Sequence, residues 1–270
     1  MSWGLHEVTV RFGHQVALDQ VSVEAVPGHV IGLVGGDGAG KTTVLRTLVG
    51  EVVPASGTVR APDAHRIGYL PASAGSWAEL SVQENVDFVG QSFGLSRTDL
   101  GERADRLLER AGLDAARNRL ARQLSGGMRR KLGFCLAMLA GPDLLVLDEP
   151  STGVDPVSRV ELWRMVSEAA AAGTAVVMST TYLDEAERCG ELVVLDEGHT
   201  LVSGPPADAL QAMVGTVVRV ATPTHPERAW RRGREHHEWF PPGEQPVGTP
   251  VTPDLEDVVI AASLARRVEA

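Results

Sequence analysis

Cysteine is almost absent from this 270-residue sequence, and long apolar runs are absent altogether. The two cysteines, Cys135 and Cys189, stand far apart without metal-ligand spacing. They exclude a disulfide scaffold and a zinc cluster, and read as buried free thiols in a reducing cytoplasm. No apolar stretch approaches the roughly 20 residues needed to span a bilayer. The opening "MSWGLHEVTV" has no charged segment ahead of an apolar one, so no secretory signal is expected. An excess of base is missing too: 25 Lys and Arg face 35 Asp and Glu, for a net charge of −10. That balance speaks against a nucleic-acid partner, which requires a basic face. The arginines at 228, 231, 232 and 234 form either a local basic patch or, more simply, a solvated loop. Lysine is nearly missing, and one of only two, Lys41, sits in the most informative stretch of the chain. The expected location is cytoplasmic, with any membrane contact made through a partner.

At 43% hydrophobic and 22% charged, the composition is that of a globule large enough for a sizeable core. Compact apolar runs at 29–35, 143–148, 173–179 and 191–196 predict strands buried on both faces. Helical patterns at 40–49, 157–172 and 183–188 follow three of them, which predicts a mostly parallel sheet covered by helices. The first ~30 residues alternate instead, as "EVTVRF" and "VSVEAV" about Gly13, and predict an antiparallel β flap. Residues 81–135 interrupt the series as an inserted helical lobe, with Leu100, Ala104, Leu107, Leu108 and Ala111 on one helix face ended by Gly112. The expected fold class is α/β, with a main domain over 1–214. A loop-rich appendage follows over 215–270, closed by a helix near 254–267.

"GGDGAGKT" comes directly after a predicted strand and opens a helix, the context required of a phosphate-binding loop. Gly36, Gly38 and Gly40 are expected to let the backbone curl into an anion nest, and the helix start adds its positive end. Lys41 offers a cation to the terminal phosphates, and the Thr42 hydroxyl a ligand for Mg²⁺. The whole stretch Gly35, Gly36, Asp37, Gly38, Ala39, Gly40, Lys41, Thr42 and Thr43 is therefore the candidate nucleotide loop of a P-loop NTPase core. "LLVLDE" brings Asp148 and Glu149 to the C-terminal edge of a strand, where parallel sheets place ligands. Asp148 is the second candidate for the Mg²⁺, and Glu149 the candidate base for an attacking water. In "QLSGGMRRKL", Ser125 is suited to cap a helix whose Gly126 and Gly127 are expected to expose bare amides, a second phosphate-reading helix end.

With these motifs in place the chain resembles an ATP-binding subunit of an ABC transporter over about residues 4–210. "GGDGAGKT" resembles the family's Walker A motif, "LLVLDEP" its Walker B, and "LSGGM" (Leu124, Ser125, Gly126, Gly127, Met128) its signature. "STGVDP" and "STTYLDEAE" resemble its D-loop and switch region. The detailed wording is similar to the branch that serves exporters of drugs and other hydrophobic molecules. The resemblance implies ATP and Mg²⁺ as cofactors and a head-to-tail pairing with a second ATP-binding subunit, alike or different. It also implies a separate transmembrane permease as partner, which would hold the chain on the inner face of the membrane. Phe12 falls where the family has an aromatic that stacks on adenine, with a plain core aromatic as the alternative.

Two positions depart from the family. The switch histidine that would contact the terminal phosphate is Thr181, and no histidine occurs between His65 and His199. The glutamine expected after "YLP" is Ala72, unless Ser73 substitutes for it. Losing one preorganised donor costs roughly 10²–10³-fold in rate, so slow turnover at this chain's own site is expected while binding survives, the alternative being that both substitutions are tolerated. The competing readings are a nucleotide-binding regulatory subunit with little turnover and a soluble ABC protein outside transport.

Overall fold

The computed structural model describes residues 2–73 and 75–269. The chain opens with β1 (Trp3–Phe12) and β2 (Gln15–Ala25), antiparallel about the turn at Gly13. Next come β3 (Val30–Val34), α1 (Lys41–Leu48), β4 (Ser56–Arg60) and β5 (Ile67–Leu70). Helices α2 (Val82–Ser92), α3 (Arg97–Ala111) and α4 (Gly126–Met138) follow in succession before β6 (Leu144–Asp148). Then α5 (Pro156–Ala171), β7 (Ala175–Thr180), α6 (Leu183–Ala186), β8 (Glu191–Asp196), β9 (His199–Gly204) and α7 (Pro206–Gln211) complete the main body. The tail holds β10 (Thr216–Val220), β11 (Ala229–Arg232), β12 (Glu235–Phe240), β13 (Thr249–Pro250) and α8 (Leu255–Glu269).

The central sheet runs β5-β6-β7-β3-β8-β9, parallel except for β9, which returns antiparallel beside β8. Its strands read as unbroken apolar runs because both faces are covered. Successive side chains point to opposite faces. Thus Leu145, Leu147, Val176 and Met178 join the core under α3, α4 and α5. Leu144, Val146, Val177 and Leu33 join the core with α1 and the flap. The expected flap gains a third strand, since β4 pairs with β1 in the order β2-β1-β4.

The inserted helices have well-marked ends. Ser81 and Glu84 form a capping box on α2, and Ser96 caps α3. Gly112 ends α3 at φ 66°, the left-handed turn that glycine enters without a Cβ clash. Leu100, Ala104, Leu108 and Ala111 are buried on one face of α3, with Leu107 only half-buried.

The tail corrects one expectation. Residues 215–270 were expected to be loop-rich, yet they carry a four-stranded antiparallel sheet, β11-β12-β10-β13. Its strands are short, and β11 and β12 carry the polar pairs Arg231-Arg232 and His236-His237, so only the brief apolar stretch of β10 hints at a sheet. The sheet packs on α8 through Val217, Trp239 and Ala261. Of the four arginines at 228–234, two are ion-paired, Arg228 with Glu244 and Arg232 with Asp254 and Glu256, while Arg231 and Arg234 are exposed.

Candidate nucleotide site

The C-terminal ends of β3 and β6 deliver the site. Beyond Val34 the loop 35–40 turns into α1, and beyond Leu147 come Asp148 and Glu149. A cavity of about 570 Å³ opens here. The expected residues Asp37, Gly38, Ala39, Gly40, Lys41, Thr42, Thr43, Glu149 and Phe12 line it, joined by Gln15, Val16, Ala17 and Glu197. Phe12 is 52% exposed at this mouth, which sets aside the plain core reading.

The glycines do not divide the work as expected. Gly38 and Gly40 adopt φ of 79° and 107°, positions that disfavour any side chain. Gly36 has no such φ and open space around it. The steric demand falls instead on Gly35, at φ 155°, where a Cβ would lie 2.3 Å from the Leu195 carbonyl oxygen. Gly35 and Gly36 do not line the cavity. They turn their carbonyls toward Lys41, whose Nζ donates to the Gly35 oxygen at 2.7 Å and the Gly36 oxygen at 2.9 Å. Lys41 is buried and also lies 3.7 Å from Glu149 Oε1.

The acid pair is held by the first residue of the switch stretch, to which the motif gives no role. Strand register sets Asp148 beside Ser179 of β7. The Ser179 hydroxyl donates to Asp148 Oδ1 at 2.7 Å and accepts the Glu149 N–H at 2.9 Å. One side chain therefore fixes both acids. Glu149 sits at φ 46°, a strained region that costs on the order of 1–3 kcal/mol and is retained where function demands it. The Thr152 hydroxyl donates to its Oε2 at 3.1 Å. Nearby, burial and then the charges of Asp148 and Glu51 push the Tyr69 phenol up to about 12.

The two departing positions lie apart from this cluster. Thr181 is exposed just past β7 and does not line the cavity. Its neighbour Thr180 is buried and donates to Glu185 Oε2 at 2.7 Å. At the glutamine position the loop offers only backbone. Arg130 of α4 donates to the carbonyls of Pro71 at 3.2 Å, Ala72 at 2.5 Å and Ser73 at 2.6 Å. Ala72 and Ser73 are both exposed, and neither side chain lines the cavity. Arg130 is half-buried, and burial draws its guanidinium down from the usual arginine range against the pull of Asp148 and Glu149.

The signature residues form a separate helix end. Ser125 caps α4 by accepting the Met128 N–H at 3.2 Å. Gly126 is exposed, as expected. Gly127 is not: it is buried, and a Cβ there would meet Ser158 Oγ at 2.6 Å. Its smallness lets α4 approach α5 rather than baring an amide. Leu124 is buried under the lobe, and Met128 is half-buried. None of the five lines the nucleotide cavity of its own chain.

The profile of the ABC transporter family matches residues 18–152. Nod factor export ATP-binding protein I of Cupriavidus metallidurans is 39% identical over 222 residues, which span 78% of this chain and 73% of that protein. The probable multidrug ABC transporter ATP-binding protein YbhF of Escherichia coli is 41% identical over 206 residues, 73% of this chain but 36% of that protein. Among solved structures, an ATP-binding subunit of an ABC transporter superposes with a TM-score of 0.72 at 26% identity, covering 78% of this chain and 92% of that one. With its loop, acid pair and sheet order already in view, this chain belongs to the ABC transporter family as an ATP-binding subunit and ABC-type ATPase.

Proposed function

We propose that the chain binds Mg²⁺-ATP in the cavity beside α1 and drives export through a separate transmembrane permease. The convergence of Lys41, Thr42 and Glu149 on one cavity carries this reading. The donor set suits the metal: a threonine hydroxyl in the cavity and a buried carboxylate behind it are hard oxygens. Thr42 and Asp148 would hold Mg²⁺, which neutralises charge on the phosphates when bound. The left-handed loop at Gly38 and Gly40 aims backbone N–H groups at the anion, and Lys41 exchanges its two carbonyl partners for phosphate oxygens. Glu149, fixed through Ser179 and Thr152, takes the proton of the attacking water. Titration with Mg²⁺-ATP tests the assignment: Lys41→Ala should weaken binding strongly, and unchanged affinity would remove it.

The signature supports a head-to-tail pairing. A capped helix end that does not line this chain's own nucleotide cavity would serve a nucleotide only when a second subunit brings one. The Cupriavidus relative is named for export and the Escherichia coli one for multidrug transport, and this chain's own contribution fits a peripheral motor. Among the described residues no helix is long and apolar enough to cross a membrane. The permease contact is placed on the segment from Ser73 to Val86 with the helical lobe, although Ala74 lies outside the described residues. There Trp77 and Phe88 meet edge to face at 4.5 Å, each about half exposed. Asn85 holds the Trp77 backbone by accepting its N–H at 2.8 Å. A second reading, a nucleotide-binding subunit with little turnover, is favoured by one observation: neither Thr181 nor Ala72 reaches the cavity.

A further inference from the structure

Among the described residues four non-glycines have positive φ, and two of them line the nucleotide cavity: Glu149 at 46° and Glu197 at 45°. Glu149 has its role. Glu197 opens the two-residue turn between β8 and β9, followed by Gly198 at φ 81° and flanked by the pair Asp196 and His199. A turn with positive φ at both centres favours Asn-Gly or Asp-Gly. A glutamate there is strained, and such strain persists where it serves a site.

The turn is clamped from two sides. Gly198 N–H donates to the Ala39 carbonyl of the phosphate loop at 3.0 Å, and its own carbonyl accepts the Asp19 N–H at 2.8 Å. Behind it stands α8 of the tail. Ser263 donates to Asp196 Oδ2 at 2.8 Å, and Arg266 donates to the Asp196 carbonyl at 2.9 Å. Arg266 Nη2 also lies 3.4 Å from Glu197 Oε2. A bare carboxylate beside a polyphosphate would repel it. With Arg266 on one oxygen, that charge is offset and the other oxygen remains a strong acceptor. Glu197 lines the same cavity as Phe12 and the loop from Gly38 to Lys41, and in a nucleotide with its base at Phe12 and its phosphates at that loop the hydroxyl donors are those of the ribose. Carboxylates read ribose hydroxyls in other nucleotide-binding sheets.

We propose that Glu197 is a specificity-determining residue that accepts a hydrogen bond from the ribose of the bound nucleotide, and that α8 holds and neutralises it through Arg266. This rests on the ATP assignment above and gives the tail a role at that site. Calorimetric titration of the full chain with Mg²⁺ complexes of ATP, 2′-deoxy-ATP and 3′-deoxy-ATP tests it. The unaltered chain should bind at least one deoxy nucleotide about ten-fold more weakly than ATP, the scale of one hydrogen bond to a charged group. Glu197→Gly relieves the backbone strain, so the melting temperature should hold while the ratio of affinities falls to about one. Arg266→Ala should weaken ATP binding about three-fold, and should do so only when Glu197 is present. Equal affinities for all three nucleotides, or discrimination that survives Glu197→Gly, would overturn the role of Glu197. An Arg266 effect that persists in the Glu197→Gly background would overturn the role of α8. Lys41→Ala binding ATP normally would instead remove the nucleotide site itself.

Discussion

Lys41 Nζ lies 3.7 Å from Glu149 Oε1, while its protons are engaged by the carbonyls of Gly35 and Gly36. The cation meant for a terminal phosphate and the base meant for the attacking water thus hold one another across the cavity. A nucleotide bound as proposed would separate them. Both side chains are largely removed from solvent, at 6% and 24% exposure, so the exchange is made in a medium where charge is felt strongly.

Lys41→Ala removes the cation and should weaken ATP binding by about 10- to 100-fold, the range of hydrogen bonds to charged groups. Glu149→Gln removes the competitor for Lys41 and a negative charge near the phosphates. It should bind ATP at least as tightly as the unaltered chain. Calorimetric titration of the two variants separates these outcomes, and a large loss of affinity in Glu149→Gln would contradict the geometry.

Ser179→Ala withdraws the hydroxyl that serves Asp148 and the Glu149 N–H together. Ser179 is fully buried, so the groups left behind lose a partner that water does not readily replace. The expected cost is about 1–3 kcal/mol of stability, read as a lower melting temperature. Turnover should fall more than ATP affinity does, because the acids are misplaced while the phosphate loop is intact. Steady-state rates with parallel binding titrations check the split.

The two thiols give a pH prediction. Burial pushes both Cys135 and Cys189 from an ordinary value near 9.0 up to about 12. Below pH ~9 each is a neutral thiol, folded or unfolded, and nothing is lost. As pH rises past that value the unfolded chain ionises first, so stability falls toward pH 12. Native protein at neutral pH should leave both thiols unreactive to a soluble disulfide reagent, and denaturant should release two equivalents. A fast-reacting thiol in the native chain would contradict their burial.

The parts of this molecule that the sequence displays are those where burial or backbone geometry imposes a pattern. Strands β3, β6, β7 and β8 announce themselves because sheet faces covered on both sides demand consecutive apolar residues. Lys41, Asp148 and Glu149 stand out because phosphate chemistry needs those side chains at a loop and a strand end. β4, exposed at all five positions, carries no apolar signal. The β10–β13 sheet rests on a small cluster around Val217, Trp239 and Ala261, with charge pairs around it, which leaves no period to read. Ser179 shows only as a strand end until register sets it beside Asp148. Gly127 reads as a bare amide in the motif, and only the approach of Ser158 reveals a packing role. Glu197 shows no motif at all, and it is found through its φ and its place at the cavity.

Thr181→His should restore a side chain long enough to reach from the end of β7 toward the cavity. Turnover at this chain's own site is expected to rise, by up to the roughly 10²–10³-fold that one preorganised donor supplies. Single-turnover measurement on the assembled complex is the check, and an unchanged rate would make Thr181 a tolerated variation.

The proposal that this chain's own ATP half-site is weakened, while the signature half-site it would lend to a partner is complete, is tested most directly by steady-state ATP turnover in the complex assembled with a permease and a partner subunit. Two versions are compared, one carrying Gly126→Asp and the other Glu149→Gln in this chain. Gly126 is exposed at the start of α4, so an aspartate there sets a carboxylate against the partner's phosphate and should abolish most turnover. Glu149→Gln acts on this chain's own half-site, where Thr181 and Ala72 stand in place of the expected donors, and on this proposal should cost comparatively little. If Glu149→Gln is the more damaging change, or if this chain alone hydrolyses ATP at full speed, the weakened half-site does not exist.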